Sequence, residues 1–216
     1  MRATYSRTLF LTVLFAALLL AWGCNDNARV IEKQRQYVID AARPTSTPTA
    51  TEGKGALKVR RFMIAGQYET CELVYRRSDL VYDSDFYNRY FAPPASLAAE
   101  KTRRWLSESG LFTHVLGSFS GADFDYVLEG NILGLYGDYR QEDSPQAVME
   151  IQFTLIDEHR VRDSVVFQKK YRALAAMEKE SPVYLVEGFN ACLADILTQL
   201  ESDLAGLPAH PKQETP

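Results

Sequence analysis

The residue types that could do chemistry gather in one stretch. Residues 72–94, ELVYRRSDLVYDSDFYNRYFAPP, interleave Tyr75, Tyr82, Phe86, Tyr87, Tyr90 and Phe91 with Arg76, Arg77 and Arg89. Rings beside guanidinium groups can stack bases, hold a ligand, frame a catalytic site or dock a partner. Two acidic pairs, Asp83 with Asp85 and Asp123 with Asp125, are spaced i, i+2. On a strand that spacing puts both carboxylates on one face, where they could hold a cation or work as acid and base. No glycine stands at the turn position of a calcium loop and no glutamate follows it, so both pairs read as turn and strand-end acids. His114, His159 and His210 stand singly, without the partner spacing of a zinc site. GSFSG at 117–121 places Phe119 where a nucleophile elbow needs serine. There is no P-loop of the GxxxxGK type. The expectation is a chain that is not an enzyme and carries neither metal nor cofactor.

Charge and address narrow the remaining readings. The first 23 residues hold Arg2 and Arg7, no acid, and an apolar run from Leu9 to Trp22. A basic start, a short apolar run and a small residue before the cut make a secretory signal. That run is shorter than the roughly 20 residues a spanning helix needs. The cut falls at a cysteine, in LLLAWGC, the lipobox arrangement, in which Cys24 is lipidated and becomes the first mature residue. Ala21 and Trp22 depart from the usual residues of that box. The alternatives are an uncleaved signal anchor and a secreted chain trimmed past Cys24. Asn25, rather than aspartate, favours the outer over the inner membrane. The leader holds 2 of the 24 basic residues and none of the 28 acidic ones, leaving 22 basic against 28 acidic, a net charge of −6. Nucleic-acid affinity rests on neutralising phosphates, so no nucleic acid is expected as a partner.

The elements that must position the aromatic stretch follow from periodicity. Residues 24–56 read as a lipid-anchored tether: NDNARVIEKQRQYVIDAAR could form a short helix, and PTSTPTATEGKG cannot bury enough surface to offset its ordering entropy. Residues 57–205 read as one domain, and 206–216 as a disordered tail. Within the domain, LKVRRFMIA opens as one strand, and ELVYRR and DLVYD form a hairpin about Ser78. ASLAAEKTRRWLSESG is a helix that stops at Gly110, and FTHVLGSF a strand. In DFDYVLEGNILGLYGDY, Phe124, Tyr126, Leu128, Ile132 and Tyr136 share one face of a longer strand. AVMEIQFTLID alternates Met149, Ile151, Phe153 and Leu155 against Glu150, Gln152 and Thr154, and DSVVFQKKYRA pairs with it. Ser181 caps a last helix that starts at Pro182 and carries Val186, Phe189, Leu193, Ile196, Leu197, Leu200 and Leu204 on one face. The sum is α+β: a single two-layer domain, a mainly antiparallel sheet with two helices packed on one face. Cys71 and Cys192 could pair in an oxidising compartment, and Cys192, beside an apolar helix stripe, reads as well as a buried free thiol.

The order of these features resembles the ABC-type transport auxiliary lipoproteins of Mla-like and paraquat-inducible intermembrane lipid-transport systems. Tyr75-Arg76, Tyr87, Tyr90, Pro93-Pro94, Gly110, Phe112, Asp125, Tyr126, Leu128 and Gly130 fall into that family's places, and Tyr90 or Phe91 stands for its usual tryptophan. The resemblance covers about residues 57–200. It implies a non-enzymatic auxiliary component that accompanies an ABC permease, an ATPase and an MCE-domain subunit. On it, Tyr75, Tyr87, Tyr90, Pro93 and Pro94 are structural anchors, and Arg76 and Arg77 are partner contacts. The same anchor and domain would serve an envelope scaffold or β-barrel assembly lipoprotein, or a periplasmic binder of a small ligand or lipid.

Overall fold

The computed structural model describes residues 33–44, 53–162 and 164–208. The leader, Cys24, His210 and most of the expected tail lie outside the described residues. The strands are β1 (Arg35–Tyr37), β2 (Ala56–Val59), β3 (Met63–Ile64), β4 (Glu72–Arg76), β5 (Tyr82–Tyr90), β6 (His114–Leu116), β7 (Tyr126–Asp138), β8 (Gln146–Asp157) and β9 (Val165–Ala176). The helices are α1 (Pro94–Ser109) and α2 (Pro182–Gly206).

The long antiparallel meander β7–β8–β9 follows from the alternation in β8. Met149, Ile151, Phe153 and Leu155 are buried there, whereas Glu150, Gln152 and Thr154 are only partly covered. The free edge of β7 is completed by three short strands laid end to end, all parallel to it. β2 lies beside Tyr126–Leu128, β3 beside Asn131–Ile132, and β4 beside Gly137–Asp138. β6 then extends the sheet from β2, β5 from β4, and β1 from β5. The nine-stranded sheet is therefore mixed: its long ladders are antiparallel, and its short ones parallel. Both helices lie on one face, α2 across β8 and β9, and α1 across β2, β6 and α2. The domain is α+β with two layers.

Three expectations are corrected. LKVRRFMIA is not one strand. It leaves the sheet at Arg60–Phe62, where the Phe62 ring folds over Gly130 of β7; a Cβ on Gly130 would stand 2.7 Å from that ring. The even-numbered face of β7 does not continue to Tyr136. The register with β8 slips between Ile132 and Gly134, and beyond that bulge Leu135 faces the helices with Met149. Tyr136 turns to the opposite face and stacks on Tyr68, ring centroids 5.9 Å apart.

The tether, finally, does not run unbroken to residue 56. Arg35–Tyr37 form β1, not a helix, against Asn88–Tyr90 of β5, and Ile39 is 1% exposed. The Asp40 amide donates to Asn190 Oδ1 at 2.8 Å, and Arg43 forks onto Glu201 of α2 at 3.0 and 2.6 Å. Residues 34–43 are thus built into the folded body.

The termini of α1 match expectation. Pro93 caps it, Pro94 is its first residue, and Gly110 ends it at φ 73°, a left-handed value that glycine adopts without a Cβ penalty. Ser181 stands at the N-cap of α2, but its side chain makes no capping bond.

Candidate functional site

The hairpin β4–β5 holds the aromatic stretch, and the pleat sorts its residues between two faces. Tyr75 points to the helix side with Leu73 and is buried. Its hydroxyl donates to Asp85 Oδ2 at 2.6 Å, and its ring lies 5.4 Å from that of Tyr139. Asp85 also accepts from the amides of Tyr87 and Asn88 and from the Asn88 side chain. Burial pushes the Asp85 carboxyl up, but the bonds from Tyr75 and Asn88 outweigh it and hold the group below its ordinary value. Burial also raises the Tyr75 phenol well above the usual range, with the hydrogen bond to Asp85 acting the same way. Tyr90 is buried against Phe189.

Arg76 and Arg77 do not form one patch. Arg76 faces away from the helices, 5.6 Å from the Tyr82 ring centroid and 5.9 Å from that of Tyr136, and pairs with Asp79 at 3.4 Å. Arg77 lies on the helix side, 5.3 Å from the Tyr75 ring and 5.1 Å from Tyr139. It pairs with Asp83 at 3.0 Å and with Glu180 at 2.7 Å. Each guanidinium thus holds the hairpin to its own surroundings. Tyr87 is no anchor: it is 41% exposed, its ring edge-on to Phe86 at 5.3 Å.

Among acids and serines, the hairpin also presents apolar side chains outward. Phe86 is 60% exposed, edge-on to the exposed Tyr87, and Phe91 is 69% exposed just past β5; Leu80 and Val81 stand at the tip. β5 pairs with β4 on its inner side and with β1 only at Asn88–Tyr90. Among the described residues no strand pairs with the outer edge of Tyr82–Tyr87, although the Phe86 carbonyl accepts from Gln34 Nε2 at 3.1 Å, which leaves Tyr82–Ser84 as the open part. Open backbone groups flanked by exposed rings form a surface that can accept an extended segment of another chain.

The remaining candidates are dispersed. Asp83 serves Arg77 and Asp85 serves Tyr75, so that pair does not converge on a cation site. Asp125 accepts from the Ala56 amide at 2.6 Å and lies 2.9 Å from His159 Nε2, fastening the start of β2 to the β8–β9 turn. His114 is exposed. Among the described residues no three His, Cys, Asp or Glu side chains are grouped to hold a metal. Cys71 and Cys192 are both free, and burial raises the Cys192 thiol to about 12, so it stays protonated.

No family model matches the chain, and no curated protein is similar to it. Solved structures are similar. A Xanthomonas campestris protein of the family DUF330 superposes with a TM-score of 0.68 at 16% identity, covering 77% of this chain and 92% of that one. The structure of an uncharacterized protein superposes at 0.64 and 14% identity, covering 80% and 99%. The likeness is one of fold. A minor lipoprotein from Acinetobacter baumannii aligns over 69% of this chain and 91% of its own, at 8% identity, but a TM-score of 0.35 carries no argument. The residues on which the resemblance to auxiliary lipoproteins rests are largely those that make this fold. Tyr75, Tyr90, Phe112, Tyr126 and Leu128 are buried, Pro93, Pro94 and Gly110 bound α1, and Gly130 makes room for Phe62.

Proposed function

We propose that this chain is a non-enzymatic, membrane-anchored auxiliary lipoprotein of an ABC-type, MCE-associated intermembrane lipid-transport system. Lipidation at Cys24 holds it on the periplasmic side, at the outer membrane. The observation that carries the reading is the open edge of β5 with its exposed rings, on a domain that follows a lipobox and shares that family's motifs. Rings of this kind supply large contact area at low entropy cost, and an open edge supplies backbone hydrogen bonds. The partner is the MCE-domain subunit or the permease of the system. Arg76 and Arg77 act here through the hairpin they hold in place.

Affinity purification of the tagged full-length protein from detergent-solubilised native membranes tests this. Mass spectrometry of the wild type is expected to recover a permease, an ATPase and an MCE-domain subunit together. The double variant Phe86→Ser/Phe91→Ser is expected to lose them at least tenfold while keeping its melting temperature, because both rings are already in solvent. Recovery of a β-barrel protein instead, or of lipid alone, would overturn the proposal in favour of the envelope-scaffold or lipid-binding reading.

A further inference from the structure

The break in the β2–β3 strand opens a cleft that the hairpin does not share. Arg60–Phe62 form one wall, the first half of α1 another, and the turn at residues 117–120 the third, around a volume of about 500 Å³. That is inside the roughly 300–1,000 Å³ of small-molecule sites.

The cleft is cationic in a chain whose net charge is −4. Arg61 has no carboxylate partner among the described residues; its guanidinium instead lies 4.8 Å from the centroid of Phe119. Phe119 is 84% exposed, a large ring with no burial of its own to account for its place. Arg103 faces it from α1. Its Nε and Nη2 are taken by Glu100 at 2.9 and 2.6 Å, which leaves Nη1 without a hydrogen-bond partner among the described residues. The turn between them is pinned from behind, where Lys58 Nζ donates to the Ser120 carbonyl at 3.0 Å. Ser96, Ser118 and Ser120 add hydroxyls to the lining. Ser120 Oγ accepts from the Ala122 amide, so its proton remains available to donate. Arg60, by contrast, turns outward to Glu129 at 2.6 Å.

An unpaired planar fork, hydroxyl donors and an adjacent aromatic face suit an anion with several acceptor oxygens and an apolar attachment. We propose that this cleft binds a phosphate group, free or borne on a small organic moiety, with Arg61 and the serine hydroxyls on the phosphate oxygens and Phe119 against any attached carbons. Glu100, ion-paired to Arg103, opposes an anion and sets its place nearer Arg61. A lipid headgroup and a free phosphate share this chemistry. The inference does not depend on the docking edge of β5.

Calorimetric titration of the full-length protein in a non-ionic detergent separates the two sources. The probes are glycerophosphoglycerol, a deacylated headgroup, and inorganic phosphate, each at low and high salt. Tighter binding of glycerophosphoglycerol, weakened further by Phe119→Ser, assigns the site to a headgroup; equal binding of both assigns it to phosphate itself. In either case Arg61→Gln is expected to weaken binding at least tenfold at unchanged melting temperature. Arg172→Gln, an exposed change on β9, is expected to have no effect. Binding of neither probe, or binding indifferent to Arg61→Gln, would overturn the proposal.

Discussion

At the scale of single residues, the contact that most governs the aromatic hairpin is the one from Tyr75 to Asp85. The phenol donates to a carboxylate that three further donors hold in place. Tyr75→Phe keeps the ring and its packing against Tyr139 but removes the charge-assisted bond, at a cost of about 1.5 kcal/mol. Urea denaturation at neutral pH is the measurement. Its pH dependence carries a second check. The folded Asp85 carboxyl titrates below its ordinary value of 3.8, so its contribution is present above that pH and is lost as pH falls through the lower folded value. The gap between wild type and Tyr75→Phe is therefore expected to narrow in acid below about pH 4, and a gap constant across that range would refute the assignment. Arg76 and Arg77 show where residue types mislead. Adjacent in sequence, they stand on opposite faces of the sheet because side chains alternate along a strand.

At the scale of elements, the strap of residues 34–43 departs most from expectation. Arg43 is 9% exposed at its side chain, and its partner Glu201 also accepts from Trp105 Nε1 at 2.7 Å, so one carboxylate joins the strap, α1 and α2. Glu201→Gln leaves a largely buried guanidinium without its counter-ion. With Glu201 itself 23% exposed, the full cost of a broken buried pair is discounted to about 2 kcal/mol. Hydrogen exchange is expected to lose about thirtyfold in protection over residues 35–43, since each 1.4 kcal/mol is tenfold, while β7 and β8 keep theirs. The bonds from Arg43 lower the Glu201 pKa from 4.5 against the opposing effect of burial. Its contribution is thus present above 4.5 and fades as pH falls through the depressed folded value, and the strap is expected to loosen with it.

The same strap marks what periodicity can and cannot disclose. The β7–β9 meander and both helices were legible because their patterns are long and their pairing local. β1 was not, since three residues carry no period and its partner lies about fifty positions on. The parallel pairings along β7 and the slip at Ile132–Gly134 are likewise non-local, and alternation read on either side of a bulge points the wrong way beyond it. The aromatic stretch could be seen in the sequence as a candidate surface; which rings face water could not, because that depends on the packing of the hairpin against the rest of the sheet. The cleft beside Arg61 gave no sequence signal either, since residues 60–62, 96–103 and 117–120 meet only through the fold.

At the scale of the whole molecule, the question is what ties the domain to a membrane. No helix among the described residues is long and apolar enough to cross one. The leader at 1–23 and Cys24 lie outside those residues, so attachment is argued from the sequence. A lipidated N-terminal cysteine carries several acyl chains, and several chains anchor stably where one binds marginally. Cys24→Ser removes the acceptor thiol. In a host that processes lipoproteins, the variant is expected to lose incorporation of labelled palmitate, and its wild-type counterpart to keep it. An uncleaved signal anchor predicts otherwise, with the variant still sedimenting with membranes at the mass of the full chain. Because the docking edge is built from β5 and not from the anchor, the variant is also expected to recover the same partners in detergent as wild type. Lost palmitate with retained partners would separate the anchor from the docking edge. If partners vanish with the lipid, recognition depends on the membrane and not on the rings of β5.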